Sequence, residues 1–352
     1  MSDTGKSPAG ISSAGAERYS VGVIGAGTMG NVHADAWRST GARLIGVYDI
    51  DPAAGERLAT KFGIAAFPSR QALFDAVDIV DVCTPTYTHA ENVVAAAQAG
   101  KHVVCEKPMA LSLEECASMI RAAEQAGVRL FIAQVVRFFA EFATAKQLID
   151  SGKIGKVGVY RSTRGGSNPG EAGPTWFTQE YRSGGVVLDL MVHDIDYARW
   201  VCGDVERVYC RRFLGANTDY ALITLRFRSG AIGHIEGSWA FPAGMFRTAF
   251  DIAGDGGLLT YDSESSAPLR FRRREQAAAK GGVVVPSSPM DPADNPYLKE
   301  IQHFLSCLMS GEQFLVTAYD AMAAVQVALA ARQSALTGRP VTLEPLSLAQ
   351  EG

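Results

Sequence analysis

The sequence predicts an α/β protein of two domains: a doubly wound parallel sheet, followed by an α+β domain on a large, mostly antiparallel open sheet. Between residues 20 and 140, short runs rich in β-branched residues alternate with alanine-rich stretches, which is typical of parallel strands joined by helices. From about residue 155, longer segments alternate apolar with polar residues, as antiparallel strands with one solvated face do. These two patterns place a domain boundary near residue 140.

The individual elements follow from the same patterns. The strands predicted for the first domain are the runs VGVIG, RLIGVYD, AVDIVDVCTP, KHVVCEKP and VRLFIAQ. Those predicted for the second are residues 157–164, 221–228, 231–239 and 248–253, with helices at 297–310 and 318–336. Residues 263–296, rich in Ser, Pro, Ala and charge, predict one short strand and a mobile loop. We therefore expect a disordered tail over 1–19, domains at 20–140 and 141–316, and a C-terminal helix and tail at 317–352 that packs back on the first domain.

Composition excludes several classes of protein. The chain has 352 residues, 47% hydrophobic and 20% charged, which is typical of a globular protein with room for two domains. A net charge of -4 argues against a nucleic-acid partner, and the basic run at 270–274 is interpreted as a solvated strand edge or loop. No apolar run is long enough for a membrane span. The six cysteines show no metal-ligand spacing, which favours a reducing, cytoplasmic location and no metal.

A glycine-rich turn follows the first predicted strand. Gly25, Gly27 and Gly30 have the spacing of the Rossmann turn, in which they allow the bend, the approach of a pyrophosphate and close helix packing. Asp49 ends the second strand, 19 residues after Gly30, close to the position of a ribose-binding acid. Because a carboxylate accepts from the ribose 2′-OH and repels a 2′-phosphate, the pattern predicts NAD rather than NADP. Asp51, before a proline, is interpreted as a helix N-cap.

Further polar residues follow later strands of the first domain. Thr84-Pro85, Glu106-Lys107 and Gln134 all come at strand ends, so we expect them in the same crevice as the glycine turn. A lysine in such a crevice can stabilise the negative charge of a developing alkoxide. If the pocket is desolvated, Lys107 can also transfer a proton, so its role is electrostatic, acid/base or both.

The segment after Gly184-Gly185 carries an acid–histidine pattern. Asp189, His193 and Asp196 stand at i, i+4 and i+7, which predicts one face of one helix. Histidine is suited to taking a hydroxyl proton while hydride leaves the same carbon. Asp189 would orient or stabilise the imidazole, and Asp196 would bind a substrate hydroxyl. The alternative is a capped helix with a solvated acidic face.

Taken in order, these motifs resemble those of the glucose-fructose oxidoreductase/inositol dehydrogenase (Gfo/Idh/MocA) family. The resemblance covers nearly everything after residue 20 and implies catalytic roles for Lys107, Asp189 and His193. It also implies that Lys107 lies beside the nicotinamide. The implied cofactor contacts are Gly25, Gly27, Thr28, Met29, Gly30, Asp49, Thr84, Pro85, His89, Glu106 and Lys107. The roles of His33 and Trp176 stay open. His33 is equally compatible with a ligand contact and with a histidine of no function, whereas Trp176 resembles an aromatic that helps to close the cleft in relatives but is more typical of a core residue.

The resemblance implies an NAD-dependent dehydrogenase that oxidises a secondary hydroxyl of a cyclic polyol or sugar, as inositol 2-dehydrogenases do. Arg161, Arg164 and Asn168 also suggest a hydroxyl-rich substrate. The alternatives are a relative that uses bound nicotinamide for glycoside cleavage or internal redox cycling, and a non-catalytic dinucleotide-binding regulator. The open sheet of the second domain favours self-association, so we expect a homodimer or homotetramer.

Overall fold

The computed structural model describes residues 15–171, 173, 175–264 and 294–346. The expected tail over residues 1–14, the basic run at 270–274 and most of the loop expected at 263–296 lie outside the described residues. The chain folds into two sheets, each flanked by helices, and the confirmed fold class is a parallel doubly wound sheet followed by a mostly antiparallel one.

Six parallel strands form the first sheet. In chain order they are β1 (Ser20–Ile24), β2 (Arg43–Tyr48), β3 (Ala65–Ala66), β4 (Ile79–Val82), β5 (His102–Glu106) and β6 (Leu130–Ala133). Across the sheet the order is β3-β2-β1-β4-β5-β6, so the winding reverses between β1 and β4. The crevice at such a reversal, beyond the carboxyl ends of the strands, is where open α/β sheets bind ligands.

Helices connect these strands. They are α1 (Thr28–Arg38), α2 (Pro52–Phe62), α3 (Arg70–Ala76), α4 (His89–Gln98), α5 (Leu113–Ala126) and α6 (Ala140–Asp150). Several begin at a side-chain cap, and Asp51 accepts from Ala53 N at 3.0 Å at the start of α2. The interpretation of Asp51 as an N-cap is therefore confirmed.

The second sheet has seven strands. They are β7 (Val157–Ser167), β8 (Val205–Gly215), β9 (Thr218–Phe227), β10 (Ile232–Phe241), β11 (Phe246–Gly254), β12 (Gly257–Asp262) and β13 (Val341–Thr342), in the order β12-β11-β7-β10-β9-β8-β13. Of the pairs formed by these described strands, β7 with β10 is parallel and the others are antiparallel. The sequence patterns missed β8, β12 and β13. Along β9, Ala221, Ile223 and Leu225 are buried while the residues between them face outward.

Five further helices complete the described chain: α7 (Glu180–Ser183), α8 (Gly185–Asp189), α9 (Val192–Cys202), α10 (Pro296–Ser310) and α11 (Ala318–Thr337). The expectation of one continuous helix through Asp189 and Asp196 is wrong, because the chain turns between the end of α8 and the start of α9. The positive φ angles of Gly184 (79°) and Gly185 (69°) fix the approach to α8.

Helix α10 also returns to the first domain, in addition to the predicted C-terminal helix α11. Phe304 of α10 lies in the same buried cluster as Val23 and Trp37, with its ring 6.3 Å from that of Trp37. Helix α11 lies mainly against β8 and α9, and it also packs against α5 and β6 of the first domain. Helix α10, which was expected to belong to the domain at 141–316, thus contributes to the core of the first domain, because its apolar face covers α1.

None of the helices in the described part of the chain combines the length and hydropathy required to cross a bilayer.

A buried ion pair joins the end of the first domain to α9. Arg137 lies in a short turn after β6 and donates to both carboxylate oxygens of Asp196, at 2.8 and 2.6 Å. The two side chains are 2% and 1% exposed. Arg137 also donates to the carbonyl of Leu315 at 2.9 Å, so its guanidinium holds three segments together.

We expect Asp196→Asn to destabilise the fold by about 3–5 kcal/mol, because it removes the buried partner of the Arg137 guanidinium and leaves only the more exposed Asp320 carboxylate, 3.9 Å away. Denaturant unfolding followed by circular dichroism measures this loss. The control is Asp204→Asn, whose ion pair with Arg199 includes a carboxylate that is 71% exposed, so a loss under about 1 kcal/mol is expected. Equal stability of the two variants would contradict the assignment.

Two glycines of the first turn differ in how much space a side chain would have. A Cβ at Gly30 would lie 1.9 Å from the carbonyl oxygen of Gly25, whereas a Cβ at Gly27 would meet nothing within 4 Å. We expect Gly30→Ala to lower the free energy of unfolding by roughly 1–3 kcal/mol through overpacking, and Gly27→Ala by less than about 0.5 kcal/mol. Thermal unfolding of both variants checks this, and the opposite ranking would refute it.

Candidate active site

A cavity of about 790 Å³ lies between the carboxyl edge of the first sheet and the second domain. Of the residues predicted from the sequence, those that line it are Gly25, Gly27, Thr28, Met29, Asp49, Thr84, Pro85, Glu106, Lys107, Trp176, Asp189 and His193. They come from both domains, which are far apart in the chain. The cavity therefore brings most of the predicted cofactor and catalytic residues together.

The glycine turn forms one end of this cavity. Gly25 has a φ of 101°, and a Cβ there would lie 2.6 Å from the carbonyl oxygen of Cys83. Helix α1 begins after Gly27 with no side chain capping its first N–H groups, and the space in front of Gly27 is open. Uncapped N–H groups beside open space fit a pyrophosphate. Gly30 lies behind the turn and does not line the cavity, because its role is the close approach to Gly25.

Asp49 is held against the glycine turn. Its Oδ2 accepts from Ala26 N at 2.6 Å, and its Oδ1 accepts from Asp51 N at 2.7 Å. These bonds fix the carboxylate at the end of β2 and on the cavity wall. An ionised acid in this position disfavours a second negative group there, such as a ribose 2′-phosphate.

Thr84 and Pro85 line the cavity, but His89 lies behind them. His89 is 1% exposed, and its ring nitrogens lie 2.9 Å from the carbonyl oxygens of Thr84 and Pro108. Burial lowers the pKa of His89, although the bonds to these two carbonyls oppose the shift. The ring therefore ties the loop after β4 to the turn after β5, and His89 does not contact the cavity as the resemblance implied.

Lys107 spans the cleft between the two domains. Its Nζ donates to the carbonyl oxygen of Asp189 at 3.0 Å and lies 3.6 Å from the Asp189 carboxylate. Burial raises the pKa of Asp189, and the ammonium of Lys107 opposes that shift. The Asp189 carboxylate thus faces Lys107 rather than His193, the residue that it was expected to orient.

His193 supplies a neutral imidazole to the cavity. The ring lines the cavity, and its Nδ1 is buried without a hydrogen-bond partner. Burial, together with the positive charges of Lys107 and Arg164, lowers the pKa of His193 well below its usual value. A neutral imidazole has one nitrogen without a proton, which can accept a proton from a bound hydroxyl.

Three residues predicted at the site lie elsewhere. Asp196 is committed to the buried pair with Arg137 and does not line the cavity, so its expected contact with substrate is not supported. Arg161 points to the outer face of the second sheet, 3.5 Å from Asp251. Gln134 is fully buried beside the cavity, with no hydrogen-bond partner for its amide.

Other lining residues were missed or left undecided. Arg164, which the sequence suggested only as a sign of a hydroxyl-rich substrate, lines the cavity from β7 and donates to Asp194 at 2.5 Å. Tyr297 arrives from α10, and no local pattern predicts that. Trp176, left open above, is a half-buried wall residue stacked on Phe177 with ring centroids 3.8 Å apart.

His33 is fully buried behind the cavity. Its Nδ1 lies 2.8 Å from Asp81 and its Nε2 lies 2.9 Å from Glu106. The second of these carboxylates lines the cavity. His33 is thus part of a hydrogen-bonded acid–histidine cluster, and it does not contact the cavity itself.

Comparison with known proteins agrees with this geometry. Residues 19–134 match the family described as "Oxidoreductase family, NAD-binding Rossmann fold", and residues 142–260 match the "GFO/IDH/MocA C-terminal domain". The first domain is accordingly an NAD-binding Rossmann domain.

Individual relatives cover nearly the whole chain. The scyllo-inositol 2-dehydrogenase (NAD(+)) of Bacillus subtilis is 32% identical, over 92% of this chain and 95% of that protein. The myo-inositol 2-dehydrogenase of Thermotoga maritima is 31% identical, over 92% and 98%. The crystal structure of GenD2 from gentamicin A biosynthesis, in complex with NAD, superimposes with a TM-score of 0.83 at 28% identity, over 97% of this chain and 100% of that one. The chain belongs to the Gfo/Idh/MocA oxidoreductase family.

Proposed function

We propose that the protein is an NAD-dependent dehydrogenase that oxidises a secondary hydroxyl of a cyclic polyol or sugar. The observation that carries this is the meeting of Lys107 and His193 on one cavity wall, in the cavity whose far end is the glycine turn. One group stabilises negative charge and the other accepts a proton. Together they meet the two needs of alcohol oxidation that a protein can supply.

Each of these side chains has a distinct part in the proposed reaction. The Lys107 ammonium, held by Asp189, donates to the substrate oxygen and stabilises the alkoxide as it develops. The neutral His193 accepts the hydroxyl proton. NAD, when bound along the glycine turn, supplies the acceptor for the hydride that leaves the same carbon.

The substrate class is proposed from the relatives and from the cavity wall. Relatives that cover nearly the whole chain act on inositols, according to their names. Beyond Lys107, the second-domain side of the cavity offers Arg164, Ser167 and Tyr297, whose polar atoms suit a compound with several hydroxyls.

The experiment that tests the proposal is an oxidation assay on a panel of inositols, aldoses and sugar acids, with NAD and NADP side by side. Net formation of NADH with a free polyol or sugar is expected. Binding of NAD without net NADH would favour transient oxidation during glycoside cleavage, internal redox cycling, or a non-catalytic regulator, and would contradict the proposal.

Removing either polar group at the reacting centre should abolish turnover without abolishing cofactor binding. We expect Lys107→Ala and His193→Ala each to lower kcat by about 10²–10⁴-fold, because each removes one partner of proton transfer or charge stabilisation. Steady-state kinetics and NADH fluorescence titration measure the two effects separately. The control is Lys101→Ala, at the opposite end of β5, which should retain wild-type kcat. Near-normal activity in both site variants would contradict the proposed roles of Lys107 and His193.

We also propose that the outer face of the second sheet mediates self-association into a dimer or tetramer. Val159 and Ile232 are neighbours across the β7–β10 pair, and they are 41% and 56% exposed. Leu222 on β9 lies further along the same sheet, opposite Glu236 of β10, and is 43% exposed. Adjacent exposed apolar side chains on an open sheet are typical of an interface between subunits.

A charge on this face should therefore break the assembly. We expect Ile232→Glu to shift the particle mass from a dimer or tetramer to a monomer, measured by light scattering after size exclusion. The matched control is Leu336→Glu on α11, where the side chain is 88% exposed and lies away from the sheet. A monomeric wild-type protein would refute the proposal.

A cytoplasmic location is proposed on one further ground. The six cysteines are buried and free, as expected for a protein of a reducing compartment.

A further inference from the structure

A buried histidine links the first domain's core to the cavity wall. His33 of α1, fully buried, lies between Asp81 of β4 and Glu106 of β5. The nitrogen-to-oxygen distances of 2.8 and 2.9 Å are those of two hydrogen bonds. The proposed chemistry at Lys107 and His193 does not use this cluster directly.

The two contacts favour a protonated ring. A carboxylate lies at hydrogen-bond distance from each ring nitrogen, and two carboxylate acceptors stabilise the imidazolium, which donates from both nitrogens. Burial alone would lower the pKa of His33, but the charge of Asp81 reverses this and raises it well above its usual value. Trp37 donates a further hydrogen bond to the same Asp81 oxygen at 2.6 Å. The cluster of Asp81, His33 and Glu106 thus carries two negative charges and one positive charge.

Glu106 is the member of this cluster that lines the cavity. Its Oε1 is held by His33, and its Oε2 accepts from the backbone N–H of Lys107 at 3.0 Å. The side chain is 6% exposed and lines the cavity. Both oxygens are therefore fixed, and the carboxylate has one orientation at the wall.

Several titratable or charged groups surround Glu106 in the described part of the chain. They are His33 of α1, Asp81 of β4, Cys83 after β4, His89 of α4, Cys105 of β5, Lys107 after β5, Asp189 of α8, and Tyr297 and Glu300 of α10. Burial raises the pKa of Glu300 well above its usual value, which favours the neutral form of this carboxyl. Lys107 directs its ammonium to Asp189. What remains at the wall is the single net negative charge of the Asp81–His33–Glu106 cluster.

We propose that His33 is a positioning residue that keeps Glu106 ionised and fixed at the wall, so that the cluster favours the oxidised, positively charged nicotinamide over the reduced, neutral one. This inference rests on the proposed function, because it requires NAD to bind in this cavity. A fixed buried charge acts strongly on a neighbouring charge, since water does not screen it. The cluster then biases cofactor binding toward the form that begins an oxidation.

The experiment measures the dissociation constants of NADH, by fluorescence, and of NAD, by competition, between about pH 6 and 8, where an unperturbed histidine titrates. The ratio of the two constants is compared in the wild type, Glu106→Gln, His33→Gln and Trp37→Phe. Glu106→Gln keeps the shape of the side chain and removes its charge. Trp37→Phe removes a hydrogen bond of the same cluster and keeps every charge, so it is the matched structural control.

In the wild type the ratio should not vary with pH, because His33 stays protonated throughout. Glu106→Gln should shift the ratio about tenfold against NAD at every pH, a change of about 1.4 kcal/mol. In His33→Gln the buried Glu106 loses its cation and becomes protonated as the pH falls. The preference for NAD should then disappear toward low pH, while Trp37→Phe keeps the wild-type ratio.

An unchanged ratio in Glu106→Gln overturns the inference, and this variant decides the matter if His33→Gln does not fold. Equal loss of affinity for both forms of the cofactor in His33→Gln, with no pH dependence, also overturns it, since that is what a merely structural role predicts. Failure of the wild type to bind either form overturns the proposed function itself, so the two failures are distinguishable.

Discussion

The contact between Lys107 and Asp189 is the constraint on which the site depends. The two residues are 82 positions apart, one at the end of a strand in the first domain and one at the end of a helix in the second. An ammonium that is 17% exposed needs a partner at close range, and the carbonyl and carboxylate of Asp189 provide it. The chain then turns into α9 within three residues, which places His193 on the same cavity. Any change in the relative position of the domains would separate Asp189 and His193 from Lys107 and the first sheet.

Helix α9 is held in place by the acids that flank its histidine. Asp194 pairs with Arg164 on the second sheet, and Asp196 pairs with Arg137 at the end of the first domain. The charged groups of both pairs are nearly fully buried, where the desolvation penalty leaves little net stability but a wrong geometry is costly. These ion pairs therefore fix the position of α9 and add little to the net stability of the fold. The acidic pattern interpreted as a substrate-binding face instead fixes the helix that carries His193.

The sequence was most informative where function depends on neighbouring residues of the chain. The glycine turn and Asp49 are set by one β-α-β unit, and Lys107 by the end of one strand, so local spacing predicted their positions on the cavity. His33 and Asp196 could not be assigned in this way, because their partners lie 48, 73 and 59 residues away. The turn between α8 and α9 was also missed, since i, i+4 and i+7 spacing assumes a helix that continues. Sequence periodicity predicted most of the helices and strands, but the roles of His33 and Asp196 depend on the buried charged groups with which they pair.

The charges near the reacting centre bear on how long His193 would keep a proton. Two cations, Lys107 and Arg164, disfavour its imidazolium. Of these, Arg164 is already neutralised by Asp194, and Lys107 by Asp189. A proton taken from the substrate would place a positive charge on a ring whose protonated form is disfavoured by burial and by these two cations. Since the ring is only half-buried, the proton can pass on to solvent through the cavity. In the reverse direction the same imidazolium would be a strong acid, able to protonate an alkoxide as hydride arrives. The same surroundings of His193 thus serve both directions of the reaction. Because its imidazolium is disfavoured, His193 releases a proton readily after oxidation and donates one readily during reduction.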